Sequence, residues 1–292
     1  MKNSIKVFAG LGVLAVLLIV QSCIPEHIAK KVRIRRIYWE NIWYNAHYNS
    51  VGRLTELLSD SSKLLFYYDE SDKLYKAEIY IPDEATAKYI YTFTHGPHGI
   101  TEVDVKQYGN DYQKDIITYN AGGDIVGVHQ FTPLQWPYEV DFKTLYNGDN
   151  LTDMYEGDFP GEEGEWIYDA GSFDDKINPF RMLANAVGNP AFFPVGRLWF
   201  EPLAGEHIYE GEPPFVLGTP YEFEINYISR FSKNNPLSAS YDIPGTDFLT
   251  SQIFEYTYSG SLVTSIKWRH IIVSEEFSED YKFEYELVPV LP

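Results

Sequence analysis

One short unit recurs along this chain and limits what it can fold into more than any other feature. In "YNAGGDIVGVHQF", Tyr119 to Phe131, an apolar run ends on an aromatic residue, a small Gly-rich segment follows, and the chain resumes on an aliphatic residue. The aromatic residues Tyr68, Phe93, Tyr119, Tyr146, Tyr168 and Tyr258 each precede a polar turn rich in Gly, Asp or Asn. Beyond those turns stand Leu74, Ile100, Ile125, Leu151, Phe173 and Leu262. Most successive anchors lie 22 to 27 residues apart, which is a repeat period. Gly and Asn tolerate the positive φ that tight turns require, so each unit reads as a β-hairpin. The flanking runs alternate, most clearly Val103 and Val105 against Glu102, Asp104 and Lys106. That pattern gives one buried and one wet face, as an antiparallel sheet allows. The aliphatic residue after each turn falls out of phase, which predicts a bulge or a side chain tucked against the turn. No helix follows the glycines of "YNAGGDIVGV", so they do not form a dinucleotide-binding loop.

The expected fold is therefore all-β: an extended, twisted antiparallel sheet, a meander of hairpin repeats, forming a single domain over residues 32–292. Apolar residues make up 45% of the chain, and 24 Tyr and 18 Phe favour strands. One short helix is predicted in "DDKINPFRMLANAVGNP". Asn178 is its N-cap, Pro179 its first residue, and Gly188 with Pro190 its stop. Met182, Leu183, Ala186 and Val187 form the stripe that packs on the sheet. Residues 174–220 break the hairpin pattern as an irregular excursion rich in Pro, Gly and aromatics. The sheet then resumes with Tyr221, Phe223, Ile225 and Tyr227 alternating against Glu222, Glu224 and Asn226.

The first residues carry an address. Lys2 and Lys6 precede an apolar run from Ala9 to Val20, of signal-peptide length and short for a bilayer span. The segment "LIVQSC" resembles the lipobox of bacterial lipoproteins, with Ser22 before the cleavage point and then Cys23. The resemblance implies that residues 1–22 are a signal peptide, that Cys23 is lipidated, and that residues 23–31 form a tether. It also implies a cell-envelope protein held on a membrane by lipid. Ile24 after the cysteine favours the outer membrane, with its periplasmic or surface face left open. Cys23 is the one cysteine, so no internal disulfide is available.

The pattern aromatic–Asp/Asn–x–x–Gly–x–aliphatic is similar to the YD repeats of RHS-type proteins, which build extended curved antiparallel sheets. "YDAGSFDDKINPFRML" with the later "SRFSKNNPLSASY" resembles a family of Bacteroidetes lipoproteins that carry such hairpins. Its motif positions are Tyr168, Asp169, Lys176, Asn178, Pro179 and Phe180, then Ser232, Lys233, Asn234 and Asn235. That resemblance implies a mostly antiparallel all-β fold and brings no activity or catalytic residue. The Asn-Pro-Phe stretch has a structural reading of its own: cap, helix start and hydrophobic plug.

Motifs with chemistry are sparse. The net charge of -19 opposes the phosphates of nucleic acids, so nucleic acid is not an expected partner. His95 and His98 in "HGPHG" are two ligands where zinc needs three or four, and they sit in a hairpin slot, so a plain turn is preferred to a metal site. The acidic stretches lack the spacing of a calcium loop. No cofactor is expected. Trp136, Trp166 and Trp199 lie in or beside irregular segments, where exposed rings can stack on sugars or anchor a protein partner; covering the core beneath long loops is the competing reading. Trp39 and Trp43 are read as core. The expected role is non-catalytic binding or scaffolding with a glycan or envelope-protein ligand. The alternative is an envelope hydrolase using a carboxylate pair, which predicts an enclosed pair with a raised pKa.

Overall fold

The structure is a computed structural model that describes residues 30–39, 42–60, 62–80, 84–132, 138–157, 165–188, 232–242, 249–272 and 275–289. These residues form sixteen strands and one helix. The first five strands are β1 (Lys30–Trp39), β2 (Ile42–Tyr48), β3 (Leu54–Leu58), β4 (Lys63–Tyr68) and β5 (Leu74–Tyr80). Next come β6 (Tyr89–His95), β7 (Ile100–Gln107), β8 (Asn110–Tyr119), β9 (Ile125–Thr132), β10 (Tyr138–Asn147), β11 (Asn150–Gly157) and β12 (Glu165–Phe173). Helix α1 (Pro179–Val187) precedes β13 (Pro236–Asp242), β14 (Leu249–Ser259), β15 (Leu262–Ile272) and β16 (Glu275–Pro289).

Each strand neighbours the next in sequence, as a meander should. The open sheet expected from the hairpin pattern is corrected at its ends. β16 bonds to β1, and the sheet closes into a sixteen-strand barrel. Closure removes the two edges that an open meander would leave unpaired. Ile34–Glu284 is one compact unit, and the chain ends up to Arg33 and from Tyr285 are grouped separately. In the larger unit Arg36 reaches Glu284 at 3.6 Å. In the smaller one Arg33 Nε donates to Glu286 at 2.6 Å. β1 holds five cations and no acid, whereas β16 holds six acids and one lysine, so the closing strands match in charge.

The hairpins have a shared construction. The turns 49–53, 69–73 and 120–124 all bond the first backbone N–H to the fifth carbonyl. Asn49, Asp69 and Asn120 each accept two backbone N–H groups on one side-chain oxygen. The fourth residue is left-handed in every case: Gly52 at φ 88°, Asp72 at 61° and Gly123 at 90°. So the second glycine of "NAGGD" is the one the turn needs. The predicted bulge is present beside the turns, at His47/Tyr48, Tyr67/Tyr68, Thr94/His95, Thr118/Tyr119, Leu145/Tyr146 and Thr257/Tyr258. It returns the out-of-phase aliphatic residue to the interior: Leu54, Leu74, Ile100, Ile125 and Leu151 are buried and Leu262 is half-buried. Phe173, expected beyond a turn after Tyr168, instead ends the unbroken strand β12, whose pairing with β11 and β13 leaves no hairpin there.

In three hairpins a tyrosine beside the bulge stitches the unit to the one before. Tyr48 donates to the carbonyl of Ile34, Tyr68 to that of Leu54 and Tyr119 to that of Ile100, each at 2.6 Å. In β6 the slot belongs to His95, whose Nε2 lies 2.6 Å from the Leu74 carbonyl. Phe93, read from sequence as that anchor, is instead an inward core residue.

The interior-facing rows are apolar and packed. Ile37, Tyr44, Leu57, Ile79, Val103, Ile117, Ile266 and Phe283 are at most 3% exposed. A round barrel of this many strands leaves a water-filled lumen; here the inward side chains are covered. Helix α1 supplies part of the cover. Phe180 meets Tyr281 and Phe283 edge-on at 5.7 and 5.6 Å, so the helix lies on the inward face of the sheet. It starts as predicted: Asn178 accepts from Phe180 N at 2.9 Å, and Gly188 closes it at φ 96°. Phe180, Leu183, Ala184 and Val187 are its buried stripe, while Met182 and Ala186 are only half-buried.

Candidate binding face

Alternation that sends aliphatic residues inward must send their neighbours outward. In β5 the outward positions are Lys76, Glu78 and Tyr80, at every second residue. In β4 they include Lys63 and Tyr67, and in β1 and β2 they are Arg36, Tyr38 and Trp43. Register places Arg36, Asn45, Leu58, Lys63 and Tyr80 in one row across five adjacent strands. Long cationic side chains on such a surface lie down on ring faces. Arg36 covers the Trp43 ring at 4.4 Å and Lys282 covers Tyr38 at 4.5 Å. Lys63 covers Tyr80 at 4.6 Å and Lys76 covers Tyr67 at 4.2 Å. Trp43, read from sequence as core, is therefore an outward, half-exposed ring that also meets Tyr38 at 5.2 Å.

Glu78 organises the β4–β5 part of this face. Tyr67 and Tyr80 donate to its Oε2 at 2.6 and 3.0 Å, and Lys76 donates to its Oε1 at 3.1 Å. Burial alone would raise the Glu78 pKa, but the hydrogen bonds from Tyr67, Lys76 and Tyr80 outweigh it and hold the carboxyl below its usual range. Both tyrosine hydroxyls are pushed up, first by burial and then by the carboxylate they bond. The result is a rigid set of rings and cations with fixed positions. Tyr75, beside Tyr67 at 6.4 Å, is 43% exposed and offers its ring to solvent. Such a surface can stack on a planar or sugar-like ligand and hold charge beside it.

The residues singled out from sequence fall elsewhere. Cys23, Trp136 and Trp199 lie outside the described residues, as do residues 189–231, which include most of the 174–220 excursion and the strand expected from Tyr221 to Tyr227. Trp166 stands in β12 opposite Tyr155, with its backbone alone described. His95 serves the hairpin stitch, and His98 is an exposed turn residue whose ring lies 6.2 Å from Tyr119. The Lys-x-Asn-Pro-Phe and Ser-Lys-Asn-Asn stretches do meet. Asn178 Nδ2 donates to the carbonyls of Ser232 and Asn234, and Asn234 Nδ2 donates to that of Lys176. Asp174 accepts from the backbone N–H and side-chain amide of Asn235 and from Tyr258. This knot fastens both ends of the excursion to the β11 and β14 strand ends, a structural task.

For the hydrolase alternative, Asp153 and Asp169 stand opposite each other on β11 and β12. Burial, then the Asp153 charge, raises the Asp169 pKa. Asp169 is exposed on the outward face, however, rather than enclosed. Among the described residues the one fully buried carboxylate is Asp115, which accepts from the Gln113 amide at 2.8 Å. The signal that sequence reading passed over was local: Lys76-x-Glu78-x-Tyr80 and Tyr67 alternate in phase with buried neighbours, which marks them as a wet aromatic–charged row.

No known family matches the sequence, and no curated protein matches it. Solved structures do resemble the fold. A porin-like protein from Bacteroides uniformis shares 12% identity at a TM-score of 0.47, over 89% of this chain and 94% of that one. A porin-like protein from Bacteroides vulgatus shares 10% at 0.49, over 88% and 99%. A TcdB2-TccC3-Cdc42 structure shares 8% at 0.30, over 82% of this chain and 13% of that one.

Proposed function

We propose that this chain is a lipid-anchored protein of the cell envelope whose barrel stands in water beside the membrane and binds a ligand without catalysis. The anchor is Cys23, the membrane is the outer one, and the ligand is taken on the outward aromatic–cationic face. The observation that carries this reading is the polarity of the sheet. A barrel that spans a bilayer turns apolar side chains outward and polar ones into its lumen. This barrel is built the other way round, with its aliphatic rows buried and charges along its outward rows. Lys114 bonds Glu102 at 2.8 Å on that face, and Arg269 bonds Glu255 at 2.7 Å. Each such lysine or arginine at the centre of a bilayer would cost about 2–4 kcal/mol. A lipid on Cys23 gives membrane attachment with no such cost.

The test combines two measurements on the full chain. Labelled palmitate enters the wild-type protein and not Cys23→Ala. After reconstitution into vesicles, Lys114, Lys143 and Lys267 acylate as readily as in detergent micelles. Absence of the label removes the anchor. Protection of those three lysines in vesicles means that the barrel spans, and removes the water-facing reading.

A further inference from the structure

We infer that the outward face of β1 to β5 binds an anionic polysaccharide, of the uronic-acid class. The inference rests on the binding role proposed above and names its ligand chemistry. Its basis is a division of charge that the fold makes contiguous. Within the unit Ile34–Glu284, strands β1 to β5 carry four cations and two acids, whereas β6 to β16 carry six cations and seventeen acids. The barrel as a whole repels a polyanion, and one arc of neighbouring strands attracts it. Among the described residues, all four outward cation–ring pairs lie on this arc or at its border with β16.

Each pair presents two groups of complementary use. The ring edge left beside the cation packs on the apolar side of a sugar, and the ammonium or guanidinium over the ring meets the sugar's carboxylate. Tyr67 and Tyr80 are held by Glu78, so the pairs on β4 and β5 are ordered before ligand arrives. Recurrence of the pair across adjacent strands suits a polymer, whose repeating units engage several pairs in turn. Glu284 and Glu78 share the charge of Arg36 and Lys76, so each contact is modest and binding depends on their number.

The test is affinity electrophoresis of the lipidated full chain in detergent through gels containing polygalacturonate or neutral dextran. Polygalacturonate retards the protein, dextran does not, and roughly 0.5 M salt abolishes the retardation. Lys63→Gln with Lys76→Gln weakens binding about tenfold, the effect of two lost cation contacts together. Lys63→Arg with Lys76→Arg keeps it, which separates loss of charge from loss of fold. Lys143→Gln with Lys267→Gln, outside the arc, changes nothing. The inference is overturned by unchanged migration in polygalacturonate, by equal retardation in dextran, or by equal weakening from the Lys143/Lys267 pair. It is also overturned if vesicles with anionic headgroups bind while polygalacturonate does not, or if the arc mediates self-association on gel filtration. Equal retardation in dextran leaves the binding role standing and removes only the anionic ligand. Loss of palmitate labelling removes the anchor and leaves this result untouched.

Discussion

Two kinds of connection close the same end of this barrel. The turns at 49–53, 69–73 and 120–124 satisfy their backbone groups within five residues, through one Asn or Asp oxygen and one left-handed residue. The β12–β13 connection meets the same need across some sixty residues, with Asp174, Asn178, Asn234 and Asn235 bonded together. A local turn has little entropy to overcome and can form early. A long connection has to be fastened by side chains that meet only once the sheet exists. The difference predicts unequal sensitivity to mutation.

The largest effect is expected at the long connection. Asp174→Ala leaves the amide groups of Asn235, itself 1% exposed, without their carboxylate. Chemical denaturation should show a loss of about 2–3 kcal/mol, since buried donors keep their desolvation cost. A loss below that of the turn variants would mean that the knot is not what holds the excursion. Gly123→Ala should come next. A side chain at φ 90° strains the backbone by roughly 1–2 kcal/mol, although the nearest atom beyond the turn, His98 Nδ1, is 3.7 Å from the new carbon. Gly122→Ala, one residue earlier, should cost less, and equal losses would break the assignment of the turn.

Tyr68→Phe removes one stitch to the Leu54 carbonyl and should cost about 1 kcal/mol. Its ring stays packed, so a much larger loss would mean that the stitch carries more than one hydrogen bond. The smallest effect belongs to the exposed Asp149–Lys233 pair at 2.8 Å. Lys233 holds the Asp149 carboxyl below its usual range, first by hydrogen bonding and then by charge. A depressed carboxylate stabilises the fold above its ordinary pKa and loses that contribution as pH falls through the lowered value. Thermal melts between about pH 5 and 2 should therefore converge for wild type and Lys233→Ala at the acid end. A gap that persists unchanged at the lowest pH would point to a role of Lys233 other than its charge.

Legibility in the sequence followed the range of the interaction. The turn unit, the bulged aliphatic residue and the helix cap depend on neighbours a few residues away, and they are present where the pattern put them except at Tyr168–Phe173, which lies within the single strand β12. At Phe93 the pattern and the fold part because a histidine, His95, fills the tyrosine's slot, and residue type alone does not reveal that. Trp43 faces outward rather than into the core, since a tryptophan in a strand is equally at home on either face. Its side is set by the register of Tyr38 and Tyr44 around it. The alternation of Lys76, Glu78 and Tyr80 is local, but the aromatic–cationic row spans five strands and aligns only after they pair.

The sequence by itself determined that the chain builds antiparallel hairpins, where most of them turn, and that one capped helix interrupts them. Only the tertiary structure decided that the sheet closes on itself, that the aliphatic rows face inward, and that rings and cations share one outward arc. The physical reason is separation along the chain. A hairpin is specified by residues whose side chains touch within one turn. Closure joins Arg36 to Glu284, about 250 residues apart, and nothing local in either strand records the other except its charge.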